Sequence, residues 1–214
     1  MRVGILGSGE VGQKLGIGFA TLGHEVKIGT REPQSDKLKA WLAKAGAKAS
    51  TGTFAETASF GELLVLATAW SGTQSALQLA GAANTAGKVL IDATNPLDFS
   101  GGGPALALGF KDSAGEQVQR WLPRARVVKA FNIVGNAFFF RPQLPGGPPT
   151  MFYAGSDAAA KADVKKILDD FGWESIDMGG IENARYLEPL AMVWIMHGFT
   201  SKTWDHAFKL LRKS

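Results

Sequence analysis

The chain has 214 residues, 45% of them hydrophobic, enough to bury one good core or one large domain with a small appendage. Zero cysteines exclude a disulfide framework, an iron-sulfur cluster, a thiolate metal site and a cysteine nucleophile, and three scattered histidines argue against a structural metal. The net charge of +4 is dispersed over Lys37, Lys39, Lys44, Lys48, Lys161, Lys165 and Lys166, among intervening acids, which reads as solvated helix faces rather than a nucleic-acid surface. No run reaches the roughly 18 apolar residues of a membrane span, and MRVGILGSGE is too rich in glycine and too soon charged for a signal peptide; the expectation is a cytoplasmic protein that touches neither membrane nor nucleic acid.

Strand-like and helix-like runs alternate from the start. Arg2 to Leu6 reads as a strand, Glu10 to Leu22 as a helix, Glu25 to Ile28 as a strand and Ser35 to Ala45 as a helix. A short strand at Ala47 to Ser50 precedes a helical turn at Phe54 to Ser59. The unbroken apolar run Leu63 to Ala67 fits a strand covered on both faces. Val89 to Asp92, Val127 to Ala130 and Met151 to Ala154 repeat it, with helices at Thr73 to Ala80, Glu116 to Trp121 and Ala158 to Phe171, and Ser175 to Met178 is the last strand. This alternation predicts an α/β fold of Rossmann type: a doubly wound, mostly parallel sheet with right-handed crossovers and a short C-terminal helical appendage.

Two segments interrupt the rhythm, Leu97 to Gly115 with the glycines Gly101 to Gly103, and Ile133 to Pro149 with Phe138 to Phe140. Both follow strand C-terminal ends, where open α/β sheets bind ligands. From Glu182 onward, Leu187, Leu190, Met192, Val193, Trp194, Ile195, Met196 and Phe199 make a helix apolar on nearly every face, with Gly198 as a kink or interruption. Such a helix is buried on several sides, against its own domain or a second chain. The expected division is residues 1–180 as the dinucleotide-binding domain and 181–214 as a segment for dimerisation or active-site cover, in a homodimer.

The stretch GSGEVG at residues 7–12 carries the functional signal. Gly7, Gly9 and Gly12 lie between a strand and a helix, the context in which this pattern marks a dinucleotide. The first glycine makes the turn, the second admits the pyrophosphate and the third allows close packing. At the end of the second strand stand Thr30 and Arg31, where an NAD site carries an acid for the ribose 2′-hydroxyl. A hydroxyl and a guanidinium instead suit a 2′-phosphate, so NADP(H) is favoured, with Glu32 pointing elsewhere and Lys37 as a second cation.

GILGSGEVGQKLGIGFATLGHEVKIGTREP, with AW at Ala69 and Trp70, DATNP at Asp92 to Pro96 and VVKAFN at Val127 to Asn132, resembles the NADP oxidoreductase family dependent on coenzyme F420 and, with it, the oxidoreductase domain of STEAP metalloreductases. The resemblance implies that Ser8, Gly9, Glu10 and Val11 hold the pyrophosphate and Thr30 and Arg31 the 2′-phosphate. Thr68, Ala69, Trp70, Asn95, Ala130, Phe131 and Asn132 would frame the nicotinamide. The second substrate it implies is a deazaflavin, coenzyme F420, or a flavin such as FMN or FAD.

The residues themselves offer no firm proton donor. Tyr153 and Tyr186 are not followed by a lysine four positions on, and His24 falls at the wrong end of a strand. His197 is a candidate only if it faces the pocket. That deficit favours hydride transfer between two rings, with Trp70, Phe131, Phe138, Phe139 and Phe140 as apolar walls. A small imine or carbonyl reductase, and a non-catalytic module that senses NADPH, stand as alternatives.

Overall fold

The computed structural model describes residues 1–213. The chain runs β1 (Arg2–Leu6), α1 (Glu10–Thr21), β2 (Glu25–Gly29), α2 (Asp36–Ala45), β3 (Ala49–Gly52), α3 (Phe54–Phe60), β4 (Leu63–Leu66), α4 (Trp70–Ala80), α5 (Ala82–Thr85) and β5 (Val89–Asp92). It continues through β6 (Leu97–Asp98), β7 (Ala105–Leu106), α6 (Ala114–Trp121), β8 (Arg126–Lys129), β9 (Thr150–Gly155), α7 (Ala158–Asp170), β10 (Glu174–Asp177) and α8 (Ala184–Ser201).

Eight strands form one sheet in the order β10-β9-β8-β5-β4-β1-β2-β3. The chain starts at β1, winds outward through β2 and β3, then returns to β4 on the other side of β1. A switch of winding direction therefore opens a crevice above β1 and β4, the place where such sheets take ligands. Central strands alternate between faces with period two: Leu63 and Val65 enter one core with Phe19, Trp41 and Phe171, while Leu64 and Leu66 enter the other with Leu77 and Val118. Helix α3 begins on a reciprocal cap, Thr53 Oγ1 accepting from the Glu56 amide and Glu56 from the Thr53 amide.

The α/β architecture agrees with the sequence reading, with three corrections. First, β9 pairs with β8 antiparallel, through Val128 with Gly155 and Lys129 with Ala154. The connection from β8 to β9 contains only a 3-10 turn, Asn136–Phe138, so it lacks the helical crossover that parallel pairing requires. Second, the segment after Leu97 is not structureless: β6 and β7 pair as a small antiparallel hairpin around the three glycines, and α6 starts at Ala114.

Third, Gly198 does not interrupt α8, which runs unbroken to Ser201. The glycine instead lets the Trp204 ring lie against the helix where a Cβ would collide. Helix α8 buries one face, Leu187, Glu188, Ala191, Trp194 and Gly198, and leaves Tyr186, Val193, Met196 and Phe199 exposed, so it is not covered on several sides by its own chain. Beyond it the tail folds back on β9, where the Thr150 amide donates to Phe208 O at 2.8 Å. Among the described residues no helix is long and apolar enough to cross a membrane.

Candidate functional site

A cleft lies over the C-terminal ends of β1, β4 and β5, built from two confluent cavities of about 450 and 390 Å³. Gly9, Ala67, Thr68, Ala69 and Ser71 line both. One arm continues to Gly7, Ser8, Thr30, Arg31, Phe54 and Leu79, the other to Glu10, Val11, Trp70, Thr94, Asn95, Leu97 and Phe99.

The glycine turn is built as its sequence demands. Gly7 has φ +127°, and a Cβ there would run into the carbonyl of Ala67, so no larger residue fits. Gly12 faces the Gly7 carbonyl and carries the helix close to the strand. Gly9 differs from both, because a Cβ there would meet nothing within 4 Å and would project into open space. As N-cap of α1 it makes no side-chain cap bond, which leaves the first-turn amides of the helix turned toward the cleft. Gln13 Nε2 donates to Ser8 O at 2.9 Å and fixes the loop. Helix α4 begins in the same cleft at Trp70, so two positive helix ends converge there.

At the end of β2, Ser8 Oγ donates to Thr30 Oγ1 at 3.1 Å, joining the glycine loop to the strand end. Arg31 is exposed beside it. Neither Glu32 nor Lys37 lines the cleft, and Lys37 is exposed on the first turn of α2. Thr68 Oγ1 and Thr73 Oγ1 lie 2.8 Å apart, and Thr73 donates to Ala69 O, fixing the turn into α4. Trp70 stacks on Trp121 with centroids 5.5 Å apart, so one face of its indole is already covered.

Asn95 and Asn132 are brought together although 37 positions apart. Asn95 Nδ2 donates to Asn132 O at 2.8 Å, and Asn132 Nδ2 donates to Asn95 Oδ1 at 3.0 Å and to Leu187 O at 3.0 Å. Asn132 itself is buried behind Asn95, and Ala130 is buried with its amide donating to Asp92 O. Phe131 has φ +63° and sends its ring into the core against Phe139 and Phe171, centroids 5.8 and 5.4 Å away. Phe140 also packs on Phe171, at 5.2 Å, so the phenylalanine run closes the core beside α1 and α7 rather than walling the cleft.

His197 is exposed on α8 and meets the ring of His206, outside the cleft. His24 lies at the opposite end of the sheet beside Met1, its pKa lowered by burial and then by the neighbouring ammonium.

A charged cluster beneath the cleft was not singled out in the sequence. Lys129, wholly buried at the end of β8, donates to Asp92 Oδ2 at 2.8 Å and to Thr94 O at 2.7 Å, and pairs with Glu188 Oε1 at 2.9 Å. Asp92 Oδ1 accepts from the Thr94 amide and hydroxyl at 2.9 and 2.7 Å, and Glu188 accepts from the amides of Ala114 and Gly115. Burial acts to lower the Lys129 pKa, but the Asp92 and Glu188 carboxylates outweigh it and hold the pKa above its ordinary value. The signal for it was a lysine and an aspartate ending two strands directly after the apolar residues Val127 and Val128 and Leu90 and Ile91, an expensive placement unless paired.

The fold and the glycine-lined cleft at the switch point are of the dinucleotide-binding, Rossmann type. Residues 2–96 match the family model described as NADP oxidoreductase, coenzyme F420-dependent. The chain is 30% identical over 209 residues to the F420-dependent NADP reductase of Methanothermobacter marburgensis, covering 91% of each. It therefore belongs to the coenzyme F420-dependent NADP oxidoreductase family. It is also 30% identical over 192 residues to the metalloreductase STEAP3 of Rattus norvegicus, spanning 89% of this chain but only 36% of that longer protein. A crystal structure from Arthrobacter sp. FB24, provisionally described as an F420-dependent NADP reductase, matches with a TM-score of 0.94 and 40% identity, covering 99% of this chain and 100% of that one. The imine reductase of Myxococcus stipitatus, solved with NADP+, shares the fold at a TM-score of 0.70 and 16% identity, over 94% of this chain and 63% of that one.

Proposed function

We propose that this protein transfers hydride between NADP(H) and a flat ring acceptor, a deazaflavin of the coenzyme F420 type or a flavin. The observation that carries the reading is Gly9, whose missing side chain leaves backbone space in a cleft that ends at Thr30 and Arg31. A pyrophosphate needs that space and those helix amides, and a 2′-phosphate needs a cation and hydroxyls rather than a carboxylate. NADPH, when bound, supplies the hydride.

The protein's own part is positioning and exclusion of water. Ser8, Thr30 and Arg31 hold the phosphate end, Gly9, Glu10 and Val11 offer backbone, and Thr68 to Trp70 with Asn95 form the wall of the other arm. Asn132 and Ala130 act from behind that wall. The cleft is lined by Ser, Thr, Asn and apolar groups around Glu10 and Arg31, while Tyr153 is buried in the core and Tyr186 is exposed on α8. Such a lining suits ring-to-ring transfer, which needs alignment more than a proton donor.

The test is a panel of acceptors offered with NADPH: coenzyme F420, FMN, FAD and small cyclic imines, each followed by loss of its own absorbance or of the NADPH band. Turnover with F420 or a flavin is the expected result. Turnover with imines alone would replace this reading by imine reduction, and NADPH binding without any turnover would leave a sensor.

A further inference from the structure

The Lys129 cluster carries more charge than its pairing needs. Lys129 faces two carboxylates, and every contact those carboxylates make is with a donor: the Thr94 amide and hydroxyl on Asp92, the Ala114 and Gly115 amides on Glu188, and the ammonium on both. Two acids therefore face one ammonium, and the cluster has one acid more than it has bases. Side-chain exposure is 0% for Lys129 and Asp92 and 1% for Glu188, so water screens it little. The cluster sits one peptide beneath the cleft, because Lys129 bonds the carbonyl of Thr94, and Thr94 and Asn95 line the cavity.

Resting on the proposed nucleotide site, we infer that the Asp92, Lys129 and Glu188 cluster sets the redox preference of the bound nucleotide, favouring NADP+ over NADPH. Departure of hydride from NADPH moves two electrons and one proton to the acceptor ring and leaves the nicotinamide ring with a positive charge it did not have. A buried negative charge under that end of the cleft stabilises the charged ring and does little for the neutral one. The cluster thereby biases the site toward hydride donation. Asp92 joins β5 to Lys129, and Glu188 joins α8 and the start of α6 to it, so each acid also has a structural role, and the ratio of the two nucleotide affinities separates that role from the charge.

The experiment measures Kd for NADP+ and for NADPH separately, by titration calorimetry, on the wild type, Glu188→Gln, Asp92→Asn and Lys129→Arg. Either amide removes one acid at nearly constant shape but turns an N–H toward a donor that the carboxylate accepted from, a cost that falls on both nucleotides alike, so the ratio of the two constants is the readout. At an effective dielectric constant of about 20 and a separation of roughly 10 Å, one unit charge corresponds to roughly a tenfold change in the ratio of the two constants. Expected is a several-fold to tenfold weakening of NADP+ relative to NADPH in both amide variants, with Lys129→Arg, which keeps the charge, holding the wild-type ratio. Asp92 and Glu188 lie on different elements, so if one variant does not fold the other carries the test. Equal weakening of both nucleotides, or a ratio shifted as far by Lys129→Arg, would reduce the cluster to a structural role. Failure of the wild type to bind either nucleotide would instead overturn the nucleotide site itself, and this inference with it.

Discussion

Asn95 and Asn132 grip each other across the ends of β5 and β8, each amide donating to the other residue, so that the wall of the cleft is joined to the loop behind it. Asn132 also reaches α8 through Leu187 O, which ties the C-terminal helix to the same wall. Asn132→Ala should therefore lower stability by about 1 to 3 kcal/mol, because Asn95 Oδ1 and Leu187 O lose their donor in buried surroundings. The cost should fall toward the lower end, since Asn132 Oδ1 is buried with no partner to lose. Urea denaturation checks the loss, and a fall in turnover larger than the fall in NADPH affinity should accompany it.

Arg31 stands beside Thr30 at the far end of the cleft, with no acid among the described residues that line that arm. Arg31→Ala should weaken NADPH by roughly 1.5 to 3 kcal/mol, the scale of a hydrogen bond to a charged group, and leave NADH nearly unchanged. Equal losses for both nucleotides, measured by fluorescence titration, would remove Arg31 from 2′-phosphate recognition.

Gly7 and Gly9 separate folding from binding. Gly7→Ala places a Cβ against the Ala67 carbonyl at φ +127°, and should cost about 1 to 3 kcal/mol of stability. Gly9→Ala meets no protein atom and should leave the melting temperature within a degree or two of wild type, yet lower NADPH affinity tenfold or more. A Gly9→Ala protein that binds NADPH normally would remove the pyrophosphate from this turn.

Glu116 links α6 to α8 by accepting from Arg185 Nε at 2.8 Å and from Ser113 Oγ at 2.7 Å. Burial pushes its pKa up, but the bonds from Arg185 and Ser113 prevail and the folded value lies below the ordinary 4.5. A carboxylate depressed in the folded state contributes stability that is present above about pH 4.5 and lost as pH falls through the folded value. Acid unfolding should thus detach α8 early, and Glu116→Gln should lower stability near neutrality, where the carboxylate contributes, and flatten the acid limb so that the two proteins converge at low pH. Trp194 fluorescence, followed against pH, reports it.

Trp204 rests on Gly198, and its ring lies 5.3 Å from that of Trp194. Gly198→Ala should lower stability by about 1 to 3 kcal/mol, despite the better helix propensity of alanine, because the added methyl has no room beneath the indole. A gain in stability would show that the tail does not hold this contact in solution.

The alternation of apolar strands with amphipathic helices, and glycines placed between β1 and α1, were readable from local pattern. Period two, period 3.6 and a tight turn are properties of adjacent residues, so β1 through β5 and the nucleotide loop followed from sequence order alone. The hairpin of β6 and β7 was not readable, since two residues per strand carry no period, and Phe138 to Phe140 gave no sign of which way they faced. Apolar rings serve a cleft or a core equally well, and here Phe171 and Gly18 supplied the room that drew them inward.

The sequence alone determined the sheet class, the glycine turn and the pairing of Thr30 with Arg31 at a strand end, because each depends on neighbours in the chain. Only the tertiary structure decided that Asn95 meets Asn132, that β9 runs antiparallel, and that Lys129 neutralises one of two buried acids. Those depend on residues 25 to 59 positions apart, where free energy is set by burial and by complementary donors that no local pattern contains.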